Sequence, residues 1–363
     1  MGNTNSAEDN RINTTISYKV TIVIPNYNGM KFVEECMSAL LSQDPDTPPY
    51  KVVLVDNAST DGSIEWLLER FPVSAGASAN LSAGQDVNQS LSATPVTVIP
   101  QSTNTGFCHA VNIGIEAADT PYVLLLNNDT KVKSNFIKNL YKAIESRADA
   151  FSVSAKMLMW DRPELLDDAG DRYCVLGWAY ARGKGKPAAA YNIPCKIFSA
   201  CGGASIYRRE IFKEIGLFDE AHFAYLEDLD IGYRAQIFGY KNYYEPTAEV
   251  IHYGSASSGS RYNEWKTGIA AANSVYVIAK NMPLLQWIWN LPFLLVGFCI
   301  KFLFFCRKKM GKIYLKGLWD GLQKSLSPTG RNAKIGFKIS RLGRYFALQG
   351  QLYMNLVLFL KKY

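Results

Sequence analysis

The 363-residue chain is 48% hydrophobic and 20% charged, which excludes a disordered or fibrous protein and allows one large core plus an appendage. Its formal charge of +7 is uneven: from Asn263 onward 16 basic residues face 2 acidic ones, giving +14 there and leaving −7 on the first 262 residues. Seven cysteines without a CxxC pair point to neither a zinc site nor a disulfide framework, and they fit a reducing compartment. Residues 1–18 read as a flexible polar N-terminus without a secretory segment; MGNTNS matches the N-myristoylation pattern. "YKVTIVIPNYNG" (18–29) predicts a strand and "MKFVEECMSALLSQ" (30–43) a helix. "KVVLVDNASTDGS" (51–63) repeats the plan, with Thr60 or Asp61 placed to cap the helix "IEWLLERF". The Ser-, Ala-, Gly- and Asn-rich stretch 72–95 is expected to be a mobile surface insertion. "VTVIP" (96–100) then leads through "NTGF" into "AVNIGIEAA", and "YVLLLNND" is the fourth strand.

Apolar strands alternating with helices imply an α/β fold, Rossmann-like, with a mostly parallel sheet covered on both faces. Ligands bind such sheets beyond the carboxyl ends of the strands, which here are the polar turns "PNYNG", "DNASTDGS", "NTGF" and "NNDT". Neither a Walker loop nor GxGxxG is present, so phosphate charge must be balanced in another way.

These segments, with the later "GLFDEAHFAYLEDLDIGYRAQIFGYKNYYEPTAEVIHYGSAS", resemble the ordered signatures of family 2 glycosyltransferases, nearest to bacterial rhamnosyltransferase-like enzymes, over about residues 20–258. The resemblance implies a GT-A domain (19–262), a nucleotide-sugar donor and a divalent cation, Mg²⁺ or Mn²⁺, on its diphosphate, with inversion at the anomeric carbon. It makes Asp129 the cation ligand in a motif that is often Asp-x-Asp but here begins with Asn127. The alternative for Asp129 is a helix cap before "KVKSNFIKNLYKAI". Asn127 could still hydrogen-bond the ribose or a coordinating water. By the same resemblance Asp56 accepts from the base, favouring uridine or thymidine, while Pro25, Tyr27 and Asn28 wall base and ribose. Asn57, Asn104 and Asn128 join the nucleotide-binding set.

On the acceptor side, Gly202 and Gly203 are small where a backbone approaches a ligand closely, and a helix is expected from near Arg208. Glu227, Asp228 and Asp230 begin another helix, where acids can simply complement the dipole. The resemblance makes Asp228 the base that takes the acceptor's proton, Glu227 an orienting group, and Asp230 a support of the helix. Arg234 would pair with the acids or with the diphosphate. His252, one of three histidines with His109 and His222, is the expected second cation ligand or else an ordinary edge residue.

From 263 to 363 the pattern becomes a helical, membrane-associating region. "WIWNLPFLLVGFCIKFLFF" (287–305) would be roughly 30 Å long as a helix, enough to span a bilayer. Eleven Lys and Arg against Asp320 alone in 307–344 argue instead for helices lying in the inner leaflet, with the catalytic body left in the cytoplasm. The sequence therefore predicts a peripherally membrane-associated enzyme with a glycan or glycolipid acceptor and no nucleic-acid partner. The alternative is a non-catalytic nucleotide-sugar binder of the same fold.

Overall fold

A computed structural model describes residues 16–72, 94–254 and 262–361. The myristoylation pattern and nearly all of the 72–95 insertion lie outside the described residues. The first half alternates as read: β1 (Val20–Asn26), α1 (Met30–Leu41), β2 (Tyr50–Asp56), α2 (Ser63–Leu68), β3 (Val96–Pro100), α3 (Phe107–Ala117) and β4 (Tyr122–Leu126). Next come β5 (Thr130–Val132), α4 (Phe136–Glu145), β6 (Ala150–Met159), β7 (Leu166–Asp168), β8 (Asp171–Cys174) and β9 (Trp178–Ala181). The body closes with β10 (Cys195–Ile197), β11 (Ala204–Arg208), α5 (Phe212–Ile215), α6 (Glu227–Phe238) and β12 (Lys241–His252). Where the sequence predicted a helix near Arg208, the strand runs through that residue and a 3₁₀ turn, Arg209–Ile211, precedes α5.

The main sheet has the order β10-β12-β6-β11-β4-β1-β2-β3. Its β4-β1-β2-β3 half is parallel, because each connection crosses over through a helix. β11 then runs antiparallel between β4 and β6, so the second half is mixed. β4 is buried at every position, which explains its unbroken apolar run. All seven cysteines are free.

β12 is the strand that assembles the site. It pairs with β5 so that His252 faces Thr130, next to Asp129, and with β6, which also pairs with β7, the strand that carries Asp167. Four longer helices and a short one follow: α7 (Glu264–Asn281), α8 (Leu284–Arg307), α9 (Gly311–Leu326), α10 (Pro328–Ala333) and α11 (Leu342–Leu360). They share a core with the body, where Leu229, Tyr233 and Ile237 of α6 meet Val277, Ile278, Leu294, Leu348 and Leu352. α9 lies close on α7, since a Cβ on Gly321 would stand 2.3 Å from the Ala272 carbonyl oxygen.

Candidate active site

A cleft of about 1080 Å³ opens over the carboxyl ends of β1, β2 and β4. Its walls include Pro25, Asn26, Tyr27, Asn57, Asn104, Asn127, Asn128, Asp129, Gly202, Gly203, Glu227, Asp228 and His252. Twelve of these thirteen are residues expected from the sequence; Asn26 is the addition.

Asp129 sits between β4 and β5, well before α4 begins at Phe136, so it caps no helix. Its Oδ1 lies 3.4 Å from His252 Nε2, and both side chains are mostly buried. The opposite ring nitrogen, Nδ1, is 2.7 Å from Asp167 Oδ2. Burial opposes protonation of His252, but the two carboxylates prevail and raise it to about 9, so without a cation it is an imidazolium. One carboxylate oxygen and one imidazole nitrogen aimed at each other suit a borderline cation such as Mn²⁺, which would replace the Nε2 proton.

Glu227 and Asp228 open α6 after a strained loop in which Phe223, Tyr225 and Leu226 all have φ between 61° and 69°. Asn273 of α7 holds that loop, donating from Nδ2 to the carbonyls of His222, Ala224 and Tyr225 at 2.8–2.9 Å. Burial and the charge of Asp228 push Glu227 up to about 8, so it is protonated at neutral pH. Burial also raises Asp228, but backbone amides of Leu229 and Gly202 and the carboxyl of Asp171 favour its ionised form. Both adjacent carboxyls are thus raised, and hydrogen bonds oppose the rise at Asp228.

Three expected residues lie elsewhere. Asp56 is buried beneath the cleft rather than on its wall: its Oδ1 accepts from Asn26 Nδ2 at 2.7 Å and Ser59 Oγ at 2.6 Å, its Oδ2 from Ser59 N at 3.0 Å. Asn28, at φ 50°, braces the loop after β2 by accepting from Thr60 N at 2.8 Å. Arg234 faces the core, paired with Asp230 at 2.9 Å and donating to the carbonyls of Ile215, Gly216 and Leu217. It is therefore a fold residue with no face on the cleft. Asp61 spans two helices, accepting from Met30 N and Ser63 N. Gly202 and Gly203 also pack closely within the protein, where a Cβ would stand 3.3 Å from the Phe107 ring and 3.0 Å from the Asn127 amide.

Sequence reasoning missed Asp167, Asn273 and the rim formed by Phe107, Phe223, Tyr225, Trp265 and Lys266. The adjacent acids of "LLDDAG" were the available signal for the first. Asp219, His222 and Asp230 also cluster, but Lys280 Nζ already stands 2.6 Å from Asp219 and 2.9 Å from Asp230, filling the position of a cation.

The model of glycosyl transferase family 2 matches residues 21–216. A curated relative, N-acetylglucosaminyl-diphospho-decaprenol L-rhamnosyltransferase of Mycobacterium tuberculosis, is 28% identical over 244 residues, covering 58% of this chain and 69% of its own. Among solved structures, GalNAc-T7 with UDP, GalNAc and Mn²⁺ superposes with a TM-score of 0.54 at 17% identity, over 72% of this chain and about half (48%) of that one. Mannosyltransferase PcManGT from Pyrobaculum calidifontis, in complex with GDP-Man and Mn²⁺, gives 0.50 at 15% identity, over 94% of this chain and 87% of that one. At such identities the two structures speak to the fold alone, which is GT-A.

Proposed function

The chain belongs to glycosyl transferase family 2, and from that membership and the chemistry of the cleft we propose that it is an inverting glycosyltransferase. It moves a sugar from a nucleotide diphosphate, dTDP-rhamnose or a UDP-sugar, to a hydroxyl of a lipid-linked or cell-surface glycan. The observation that carries this reading is the pairing of Asp129 with His252 in the same cleft as the Glu227–Asp228 pair. The name of the mycobacterial relative favours rhamnose and a lipid diphosphate acceptor. Asp56, with its oxygens already engaged, adds no support for a particular base.

In-line displacement needs a base on the acceptor side and charge stabilisation at the leaving group. Asp228, held by the amide of Leu229 at 2.7 Å, takes the acceptor hydroxyl's proton. Neutral Glu227 donates a hydrogen bond to acceptor or donor hydroxyls. Asp129 and His252 would hold a divalent cation, which when bound stabilises negative charge on the departing diphosphate. Asn127 and Asn128 present amides to the same region.

Membrane attachment on the cytoplasmic face is part of the proposal. Among the described residues only α8 is long and apolar enough to cross a membrane, at mean hydropathy 1.9. Its buried stripe, Gln286, Asn290, Leu294 and Gly297, faces the protein, while Leu285, Ile288, Trp289, Leu295 and Leu303 point outward. Asn290 and Gln349 exchange hydrogen bonds of 2.7 and 2.9 Å, holding α8 against α11. This arrangement supports a helix lying in one leaflet, with the basic tail on anionic headgroups.

A panel of nucleotide-sugars incubated with purified protein, Mn²⁺ and a lipid-linked acceptor, scored by nucleotide release, tests the reading. Release is expected with dTDP-rhamnose or a UDP-sugar. Binding of such a donor with no release under any condition would favour the non-catalytic alternative.

A further inference from the structure

We propose that Asp167 is a positioning residue that fixes the tautomer and direction of His252, so that Nε2 is presented to Asp129 and to a divalent cation. The inference rests on the reading that Asp129 and His252 hold that cation.

His252 ends β12, an inner strand that pairs with β5 at one side and β6 at the other. β6 in turn pairs with β7, which carries Asp167. The ring is thus clasped between two carboxylates, one on β7 and one in the turn before β5, Nδ1 at 2.7 Å from Asp167 Oδ2 and Nε2 at 3.4 Å from Asp129 Oδ1. An ionised carboxylate only accepts, so the 2.7 Å contact requires the proton on Nδ1. The lone pair of a neutral ring must then be on Nε2, the nitrogen nearest Asp129. Lys184 pairs with the other oxygen, Oδ1, of Asp167. With the lysine ammonium on one oxygen and the ring on the other, Asp167 is placed as an acceptor on both sides. A carboxylate behind a ligating imidazole also raises the ring's basicity and removes its freedom to flip.

The test is Mn²⁺ binding to the full chain, titrated by EPR with dTDP or UDP present. Asp167→Ala should weaken Mn²⁺ affinity by about 10–100-fold, and Asp167→Asn, whose amide oxygen still accepts from Nδ1, by several-fold less. In a His252→Ala background, Asp167→Ala should cost nothing further. The loss should also persist in Asp167→Ala/Lys184→Ala. Wild-type affinity in Asp167→Ala, an undiminished loss without His252, or recovery on removing Lys184 would each overturn the proposal; the last would trace the loss to a freed ammonium. Should the alanine variant not fold, Asp167→Asn carries the same cycle, and wild-type affinity there overturns it equally. Failure of the underlying reading looks different: His252→Ala itself would then bind Mn²⁺ as tightly as wild type, and both inferences would fall together.

Discussion

Replacing Lys280 by methionine keeps the aliphatic stem and removes one charge from a buried cluster. Lys280 is 4% exposed, with Nζ at 2.6 Å from Asp219 Oδ2 and 2.9 Å from Asp230 Oδ2. Taking one partner from a buried ion pair costs about 3–5 kcal/mol, because the other charge is left uncompensated. Here both acids keep some support: Asp230 retains Arg234 and Asn281, Asp219 retains the Tyr276 hydroxyl. The expected loss is therefore at the lower end, about 3 kcal/mol, or roughly 6 °C in Tm at about 2 °C per kcal/mol for a chain this long. pH dependence supplies a second check. Burial alone would raise Asp219 and Asp230, but Lys280 and, for Asp230, Arg234 depress both below the ordinary value. Groups with depressed folded pKa stabilise above their unfolded pKa, about 4, and lose that contribution as pH falls. The difference between variant and wild type should thus be full at pH 7 and shrink below pH 4. Thermal unfolding of both proteins across that range reads it. A loss under about 1 kcal/mol at pH 7, the scale of a surface pair, would refute the argument.

Asp228→Asn should keep donor binding and lower turnover by about 10²–10⁴-fold, whereas Glu227→Gln, which replaces a neutral donor by another, should lose far less; equal losses in single-turnover assays would reverse the roles. Because burial raises Asp228, the acid limb of the pH–rate profile should lie above the ordinary aspartate value of about 4. Asp129→Ala and His252→Ala should each weaken nucleotide diphosphate affinity with Mn²⁺ but not with EDTA, by calorimetry; equal losses in both would mean direct contact with the nucleotide. A Cβ on Gly297 would meet the Leu176 carbonyl oxygen at 2.1 Å, so Gly297→Ala should cost about 1–3 kcal/mol in thermal unfolding and loosen α8 to proteolysis. Vesicles rich in anionic lipid should bind the intact chain more tightly at low salt than at high salt; protease cleavage of the basic stretch from the far side of the membrane would contradict an in-plane α8.

The parallel half of the sheet was legible because its strands are apolar throughout and end in polar turns. Asp129 and His252 were legible as strand ends, yet nothing local says that they meet. The β5–β12 register does so, pairing Thr130 with His252 across more than a hundred residues. The pairing of Asp167 with His252 was illegible for the same reason, the two being 85 positions apart. Asp56 and Arg234 are the opposite case. Each has a residue type suited to a ligand, but the neighbours that engage it, Asn26 for one and the carbonyls of 215–217 for the other, come from packing rather than from motif. Asn273 carries no motif, and only the fold brings its amide under three carbonyls of the loop before Glu227.

The tail poses a harder problem, since composition and docking pull apart. By length α8 could span a bilayer, at roughly 36 Å for 24 residues and 1.5 Å per residue. A spanning pose would have to carry Gln286, Asn290 and their partner Gln349 through hydrocarbon, or break the hydrogen bonds that tie them together. Lying in the plane keeps those bonds on the protein side and leaves the outward apolar face to the lipid. That pose also gives the cleft a geometry suited to the proposed acceptor. Tyr262 packs on Phe304 and Phe305 at the end of α8, and three residues on Trp265 meets Phe223 and Tyr225 at the cleft rim. An aromatic track therefore joins α8 to the loop that ends at Glu227 and Asp228. A lipid-linked acceptor could keep its apolar end at α8 and bring its hydroxyl to Asp228 along that track, which a free sugar would not need.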